Sequence, residues 1–222
     1  MPVSTCMMTI KAFQCNMLLE NCYVVSSDQD GEAVVIDCGA YFPAEHRAVT
    51  EYIKGRGLHV VHHLLTHGHM DHVYGTTCIS KLTGLAPRMH TADGRLYARA
   101  GEQSVSMVGV PLPEELPQPG AWLTDNEHIT FGGYNLQVIH TPGHSPGSVV
   151  FYCAEEQIAF SGDTLFRMSV GRTDLEGGSW EKLMNSLSRL AVLPGATRVY
   201  PGHGPATLMA EETKYNPFFT SL

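Results

Sequence analysis

The sequence has no long apolar run, no basic excess and no paired-cysteine motif, and each absence narrows the class of protein. No apolar segment among the 222 residues is long enough to cross a bilayer, which argues against a membrane protein. Fourteen Lys and Arg residues against 22 Asp and Glu give a net charge of −8. This charge disfavours nucleic acid or an anionic membrane as the main partner. The oligomeric state is not indicated by the sequence.

The amino terminus and the cysteines both favour a cytoplasmic location. Residues 1–8 lack the basic start and apolar core of a secretory signal. There is no Cys-x-x-Cys pair, and the six cysteines are scattered at Cys6, Cys15, Cys22, Cys38, Cys78 and Cys153. We therefore expect reduced thiols and not a disulfide framework. The length suits one well-buried domain, so a single domain over residues 1–222 is predicted.

Residues 64–75 concentrate metal-binding side chains at the end of a buried strand. The apolar, β-branched residues before them predict a strand that ends at Thr66. Three histidines and an aspartate follow within six positions: His67, His69, Asp71 and His72. Gly68 lets the loop bend so that the first two rings face one side, while the adjacent pair serves a neighbouring point. Burying four such groups unpaired would be costly, and they suit zinc, iron or manganese, so the cluster predicts two metal ions in one pocket.

Three later loops carry further candidates, each after a predicted strand. Residues 140–148 are rich in Gly and Pro and form a sharp turn that can project His144. Asp163 follows a glycine at a strand end, where an aspartate is often only a turn residue. Glycines on both sides of His203 free its backbone to aim the ring. These loops extend the predicted site beyond the first cluster.

Other polar residues near the motif have more than one interpretation. Asp37 ends the third predicted strand, and it is either a turn residue or a carboxylate that orients a metal ligand. His59, His62 and His63 precede the motif and are interpreted as strand-face residues. Residues 101–126 contain four prolines and Trp122. This segment is interpreted as a surface loop between two halves, with a lid over a substrate pocket as the alternative.

The run from Thr66 to His72 resembles the His-x-His-x-Asp-His signature of the metallo-β-lactamase superfamily, and the later loops follow in the expected order. The resemblance implies an α+β fold, an αββα sandwich of two mixed β-sheets flanked by helices, with metals at one edge. It implies that one metal is held by His67, His69 and His144 and a second by Asp71, His72 and His203. It also implies that Asp163 bridges the two ions and that Asp37 supports a ligand from behind.

Within that superfamily, Gly-Asp-Thr-Leu-Phe at 162–166 and Gly-Arg-Thr-Asp at 171–174 resemble the glyoxalase II-like group, the hydroxyacylglutathione hydrolases. The resemblance implies two divalent ions, zinc with iron or manganese as alternatives, and a metal-bridging hydroxide that Asp71 could orient. It implies hydrolysis of a small-molecule thioester such as S-lactoylglutathione. The chain stops at Leu222, without the C-terminal helical domain of full-length members, so the acyl group and the thiol stay open.

Arg172 and the choice of reaction leave alternatives open. The guanidinium fork of Arg172 suits a substrate carboxylate, and the alternative is an ion pair with Asp174 or Glu176. The Gly-Arg-Thr-Asp stretch also resembles persulfide dioxygenases, which use one iron held by counterparts of His67, His144 and Asp163. Hydrolysis of lactones or other esters on the same fold is a further alternative, as is metal-dependent binding without turnover.

Overall fold

The computed structural model describes residues 7–220 and contains two β-sheets that lie face to face. The first sheet has four strands: β1 (Met8–Cys15), β2 (Glu20–Ser27), β3 (Glu32–Ile36) and β4 (His59–Leu64). They lie in sequence order, with antiparallel pairing except between β3 and β4, which are parallel. The first sheet is therefore mixed, and β4 ends immediately before the metal-binding motif.

The second sheet is built from the later part of the chain. Its strands are β5 (His128–Phe131), β6 (Tyr134–His140), β7 (Val149–Cys153), β8 (Ile158–Gly162), β11 (Arg198–Pro201) and β12 (Thr207–Leu208). The spatial order is β12-β11-β8-β7-β6-β5, and only β11 and β8 are parallel. A two-stranded ribbon of β9 (Leu165–Phe166) and β10 (Ser169–Val170) follows β8.

Helices cover the outer faces and connect the strands. They are α1 (Pro43–Gly55), α2 (Met70–Val73), α3 (Thr76–Thr83), α4 (Gly94–Ala98), α5 (Ala100–Val108), α6 (Trp180–Leu190) and α7 (Met209–Tyr215), with a 3₁₀ turn at Thr91–Asp93 before α4. In residues 7–220 no helix combines the length and apolarity that spanning a bilayer requires. The five described cysteines are free thiols, and Cys6 lies outside the described residues.

Three apolar cores show how the layers stack. Between the sheets, Val34 and Leu64 of the first sheet pack in one cluster with Val138 and Phe151 of the second. Outside the first sheet, α1 and α3 bury their apolar faces in a second cluster, and outside the second sheet α6 does the same in a third. Burial on both faces of each sheet explains the almost continuous apolar runs in β3 and β7. The predicted αββα sandwich of two mixed sheets is confirmed.

The segment at 101–126 differs from its prediction as an irregular loop. Its first residues continue α5 as far as Val108, and the helix ends at Gly109 in a left-handed conformation with φ of 77°. Ser104 is buried on this helix and donates to the carbonyl of Val110, which ties the following proline-rich part back to the helix. Before this segment, Arg88 forms an isolated bridge with Leu64, and His90 forms another with Leu123.

Candidate metal centre

Strand ends from both sheets meet at one edge and bring the predicted metal-binding side chains together. The loop after β4 and the short α2 supply four of them, and the loops after β6, β8 and β11 supply one each. Among residues 7–220, three overlapping sets of side chains have donor atoms within 4.8 Å of one another and could hold an ion: His67, His69 and His144; Asp71, His72 and His203; and Asp37, His67 and His72. The first two are called the first and second groups below. The structure therefore brings together all six residues that the resemblance divided between two metals.

The first group is compact and buried. His69 Nδ1 lies 2.9 Å from His144 Nε2. The His67 ring lies with its centroid 4.8 Å from that of His69 and 4.9 Å from that of His144, edge to face in both cases. Two nitrogens that bind one tetrahedral zinc ion at ordinary bond lengths are about 3.3 Å apart. The nitrogens of this group therefore need to move only slightly to bind a common ion.

The second group adjoins the first through a shared carboxylate. His203 Nε2 lies 3.2 Å from Asp71 Oδ2, and His72 Nε2 lies 3.9 Å from the same oxygen. Asp163 stands between the groups, with Oδ1 3.3 Å from His72 Nε2 and Oδ2 3.5 Å from His144 Nε2. Oδ2 also lies 3.7 Å from His203 Nε2, so the Asp163 carboxylate is close to nitrogens of both groups, as a carboxylate shared by two ions would be.

Hydrogen bonds at Nδ1 orient four of the five histidine rings. His72 Nδ1 donates to Asp37 Oδ2 over 3.0 Å. The Nδ1 atoms of His144 and His203 face the carbonyl oxygens of Arg172 and Leu18 at 2.8 and 3.0 Å. In each case the acceptor favours a proton on Nδ1, so the neutral form of the ring would offer Nε2 to a ligand.

The fourth ring is oriented through a hydroxyl. Thr66 Oγ1 donates to Asp37 Oδ2 over 2.6 Å, so it accepts from His67 Nδ1 at 3.1 Å. The Thr66 amide also donates to Asp37 Oδ1, over 2.7 Å. Through these hydrogen bonds the buried Asp37 side chain orients the His72 ring and holds the start of the metal loop. These contacts match the orienting role considered for it; its role in metal binding stays a prediction.

Three buried side-chain atoms without hydrogen-bond partners indicate whether the site suits metal ions. His67 Nε2, His72 Nε2 and Asp163 Oδ1 have no hydrogen-bond partner among residues 7–220. Buried polar atoms without partners cost about 1–3 kcal/mol each, so a fold seldom retains three together without a ligand. His72 Nε2 and Asp163 Oδ1 lie 3.3 Å apart without forming a hydrogen bond, and His67 and His72 belong to the two groups that could hold an ion. The residues present fit a pair of metal ions.

Burial and neighbouring charges shift the pKa values of the side chains in these groups. Burial, with the neighbouring histidines, lowers the pKa of His67 well below its ordinary value and that of His69 to about 3. Both rings are therefore neutral near pH 7, as metal ligands must be. Burial opposes ionisation of Asp163, but His72 and His144 nearby hold the pKa of its carboxyl well below the ordinary value. His67 and His69 thus present neutral imidazoles beside an ionised carboxylate. Burial opposes protonation of His72 and His203, but the carboxylates around them raise the pKa of both rings, Asp163 that of His72 and Asp71 that of His203.

Arg172 lines the cleft beside these groups but already has a partner. Its Nε and Nη2 atoms each donate to one carboxylate oxygen of Asp174 over 2.7 Å, and both side chains are exposed. Glu176, the other partner considered, pairs instead with Arg95 and Arg99. The ion pair expected as the alternative is therefore present, and binding of a substrate carboxylate by Arg172 stays a prediction.

Glu20 is a buried residue near the site that the sequence analysis did not identify. Its side chain is fully buried; Oε2 accepts the amide of Gly39, and Oε1 lies 4.0 Å from His72 Nδ1. Burial raises the pKa of this carboxyl well above its ordinary value. A charged residue two positions before the apolar run Cys22–Val25 of the same strand is the signal that could have identified it.

Two mixed β-sheets between helices, with adjoining His/Asp groups at one edge, define a metallo-hydrolase fold with a candidate metal centre. Residues 16–203 match the metallo-β-lactamase superfamily, and the chain belongs to that superfamily. The relationship predicted from the motif is confirmed.

Similar proteins cover nearly the whole chain. The crystal structure of BLEG-1 B3 metallo-β-lactamase is 35% identical, with a TM-score of 0.86, and the match covers 96% of this chain and 100% of that one. TTHA1623 in a di-iron-bound form is 38% identical, with a TM-score of 0.83 and coverage of 94% and 99%. Hydroxyacylglutathione hydrolase GloC of Haemophilus influenzae is 29% identical over 216 residues, which is 96% of this chain and 99% of that protein.

Proposed function

We propose that this protein is a binuclear metal-dependent hydrolase of small-molecule thioesters such as S-lactoylglutathione. The observation that carries the proposal is the set of buried, unpartnered donor atoms on His67, His72 and Asp163, between two groups that can each hold an ion. The similarity to a hydroxyacylglutathione hydrolase supports the thioester, and the similarity to a di-iron protein supports two ions. Their metal identity stays open among zinc, iron and manganese.

Each residue of the site would have a distinct role in the proposed hydrolysis. Two bound divalent ions would lower the pKa of a water molecule and so supply a hydroxide nucleophile near neutral pH. One ion would be held by His67, His69 and His144, and the other by Asp71, His72 and His203. Asp163 would bind both ions. Asp71 Oδ2 faces His203 at the open side of the site, where it can also accept a hydrogen bond from the nucleophile. A thioester releases a thiolate, which leaves without a protein acid.

The shape of the cleft favours a short acyl group. The cavity beside the metal-binding groups has a volume of about 270 Å³, and its apolar walls are Leu18, Met70, Met107 and Leu175. Sites that enclose a drug-sized ligand are about 300–1,000 Å³. The cleft is therefore large enough for an acyl group of a few atoms, whereas the thiol part would extend across the rim past Arg172.

The test combines metal analysis with a substrate panel on one preparation. We expect about two divalent ions per chain and turnover of S-lactoylglutathione. Asp163→Asn should lose about one ion and lower kcat/KM at least ~100-fold, since it removes the shared ligand. His128→Ala alters an exposed histidine on β5 and serves as the matched control with unchanged turnover.

Other outcomes of the same panel would overturn the proposal. One iron per chain with oxygen uptake on glutathione persulfide, and no thioester hydrolysis, would identify a dioxygenase. Turnover confined to lactones or β-lactams would retain a metal-dependent hydrolase but reject the thioester. A fully metal-loaded protein without turnover on any of these substrates would indicate a binding protein.

A further inference from the structure

A fully buried carboxylate, Asp93, lies between the two loops that carry the first group of histidines. It ends the 3₁₀ turn before α4, and its side chain has no exposed surface. Asp93 Oδ2 accepts the Gly68 amide over 2.9 Å and the Ser145 hydroxyl over 2.7 Å, and Oδ1 accepts the Gly147 amide over 2.5 Å. Hydrogen bonds to an ionised acceptor are roughly twice as strong as neutral ones.

The three donors belong to the segments that hold the histidines. Gly68 lies between His67 and His69, whereas Ser145 and Gly147 follow His144. One carboxylate therefore links two loops that are more than 70 residues apart in the chain, as the 75-residue separation of His69 and His144 shows. The relative position of the loops determines whether the three ring nitrogens can reach a common ion.

Close packing restricts the linked loops. A Cβ atom on Gly147 would lie 2.7 Å from Asp93 Cγ, and one on Gly68 would lie 3.0 Å from the Tyr97 amide nitrogen. Real Cβ atoms essentially never approach as closely as the first of these distances. Both loops thus contact the Asp93 segment through bare backbone, which leaves them little room to shift while the carboxylate keeps its hydrogen bonds.

We propose that Asp93 is a positioning residue that holds the His67–His69 loop and the His144 loop at the separation needed for one metal ion. It acts through two peptide amides and the Ser145 hydroxyl of the loops, whereas Asp37 hydrogen-bonds the ring of His72 directly. The inference rests on the proposed function only in so far as the first group binds a metal. It is independent of the substrate.

The test is a Co²⁺ titration of the metal-free protein, monitored by visible absorption, in wild type and Asp93→Asn. Asparagine keeps the size of the side chain but replaces one acceptor oxygen with an amino group, which then faces an N–H donor. We expect one of the two Co²⁺ binding events to weaken by ~10-fold or more, with an altered spectrum, because partners outside the ligand set commonly contribute 10–100-fold to affinity. The other event should change by less than about twofold.

Glu212→Gln is the matched control for a general loss of stability. Glu212 is also fully buried and also accepts three hydrogen bonds, one on Oε1 from Thr207 and two on Oε2 from Met168 and Asn216. Its hydrogen bonds join α7 to β12 and to the ribbon of β9 and β10, and none of them involves the histidine loops. The control should lose stability comparably but keep the Co²⁺ affinities and spectrum of wild type.

The outcomes separate this inference from the proposed function. A folded Asp93→Asn variant with wild-type Co²⁺ affinities would reject the positioning role alone, as would equal weakening in both variants. If Asp93→Asn does not fold, Ser145→Ala removes one of the three donors and should weaken the same event by a smaller factor; no change would reject the role. If wild-type protein binds no Co²⁺, both the positioning role and the proposed function are overturned. If it binds Co²⁺ normally but does not hydrolyse thioesters, only the proposed substrate is overturned.

Discussion

At the scale of single residues, the choice of ring nitrogen distinguishes the histidines of the site. His72, His144 and His203 use Nδ1 for a hydrogen bond to the protein, which leaves Nε2 for a ligand. His69 is the exception, because its Nδ1 faces His144 in the cleft. The sequence identifies these residues as candidates, but the choice of nitrogen depends on acceptors such as the carbonyl of Leu18, 185 residues away from His203.

Arg172 provides a prediction at this scale. If its guanidinium binds a substrate carboxylate, Arg172→Ala should raise KM by about tenfold, the usual effect of one lost charge-assisted hydrogen bond, with metal content unchanged. Asp174→Ala serves as the comparison, because it frees the guanidinium and should leave KM equal or lower. The bond to Arg172 lowers the pKa of Asp174 to about 2, so the ion pair persists throughout the assay range. An unchanged KM in the Arg172 variant would remove this residue from the binding site.

At the scale of elements, the loops that follow strands depend on the helices packed behind them. The amino terminus of α6 docks on the His144 loop, where the Ser179 amide donates to the carbonyl of Gly143 over 2.8 Å. Ser179 also caps this helix, because its hydroxyl accepts the Lys182 amide. The cap is a local feature of the sequence, whereas the contact with the loop arises only because the second sheet places α6 against it.

Gly143→Ala tests this contact. Gly143 has φ of 146°, and an added Cβ would lie 2.4 Å from Leu183 Cα in α6. We expect a loss of about 3 kcal/mol in the free energy of unfolding, from backbone strain plus overpacking, together with weaker Co²⁺ binding. Gly109 also has a positive φ, 77°, but it lies near the left-handed helical region, and no atom of residues 7–220 lies within 4 Å of an added Cβ. Gly109→Ala should therefore lose only about 1 kcal/mol and bind Co²⁺ normally. Urea unfolding compares the two, and equal losses would contradict the packing argument.

At the scale of the whole molecule, burial of a histidine without a partner couples stability to pH. His63 lies in β4 as predicted, but neither ring nitrogen has a hydrogen-bond partner among the described residues, and burial lowers the pKa of the ring to about 3. The unfolded chain takes up this proton near pH 6.5, whereas the folded chain does not. The free energy of unfolding therefore falls as pH drops below about 6.5, and the loss from this residue continues until about pH 3.

His63→Leu should remove that part of the acid sensitivity. Between pH 7.5 and 5, wild type should lose about 2 kcal/mol more than the variant, since each pH unit below 6.5 corresponds to about 1.4 kcal/mol. The comparison cancels the titration of the other histidines, which both proteins share. His59→Leu, at the exposed start of the same strand, should follow wild type. Parallel pH profiles of His63→Leu and wild type, measured by urea unfolding, would contradict the assignment.

The sequence by itself determined the candidate metal-binding residues, and the layered fold was implied by the family resemblance that these residues carry. Apolar runs ending in His, Asp and Gly show where strands stop, and the His-x-His-x-Asp-His motif identifies the superfamily that the comparison confirms. Local patterns suffice here because strand ends and turn glycines are short-range features. The single domain over 1–222 and the roles of the seven candidate ligands stay predictions.

The tertiary structure alone identified Glu20 and Asp93 as groups that support the site, whereas Asp37 was already a candidate from the sequence. Glu20 lies near His72, and Asp93 joins Gly68 to Gly147, through contacts that the neighbouring sequence does not specify. Their hydrogen bonds span 19 to 54 residues, a distance over which local patterns carry no information. The helix at 100–108 was missed for a related reason, because buried contacts such as Ser104 with Tyr74 stabilise it and its own sequence is not strongly helical.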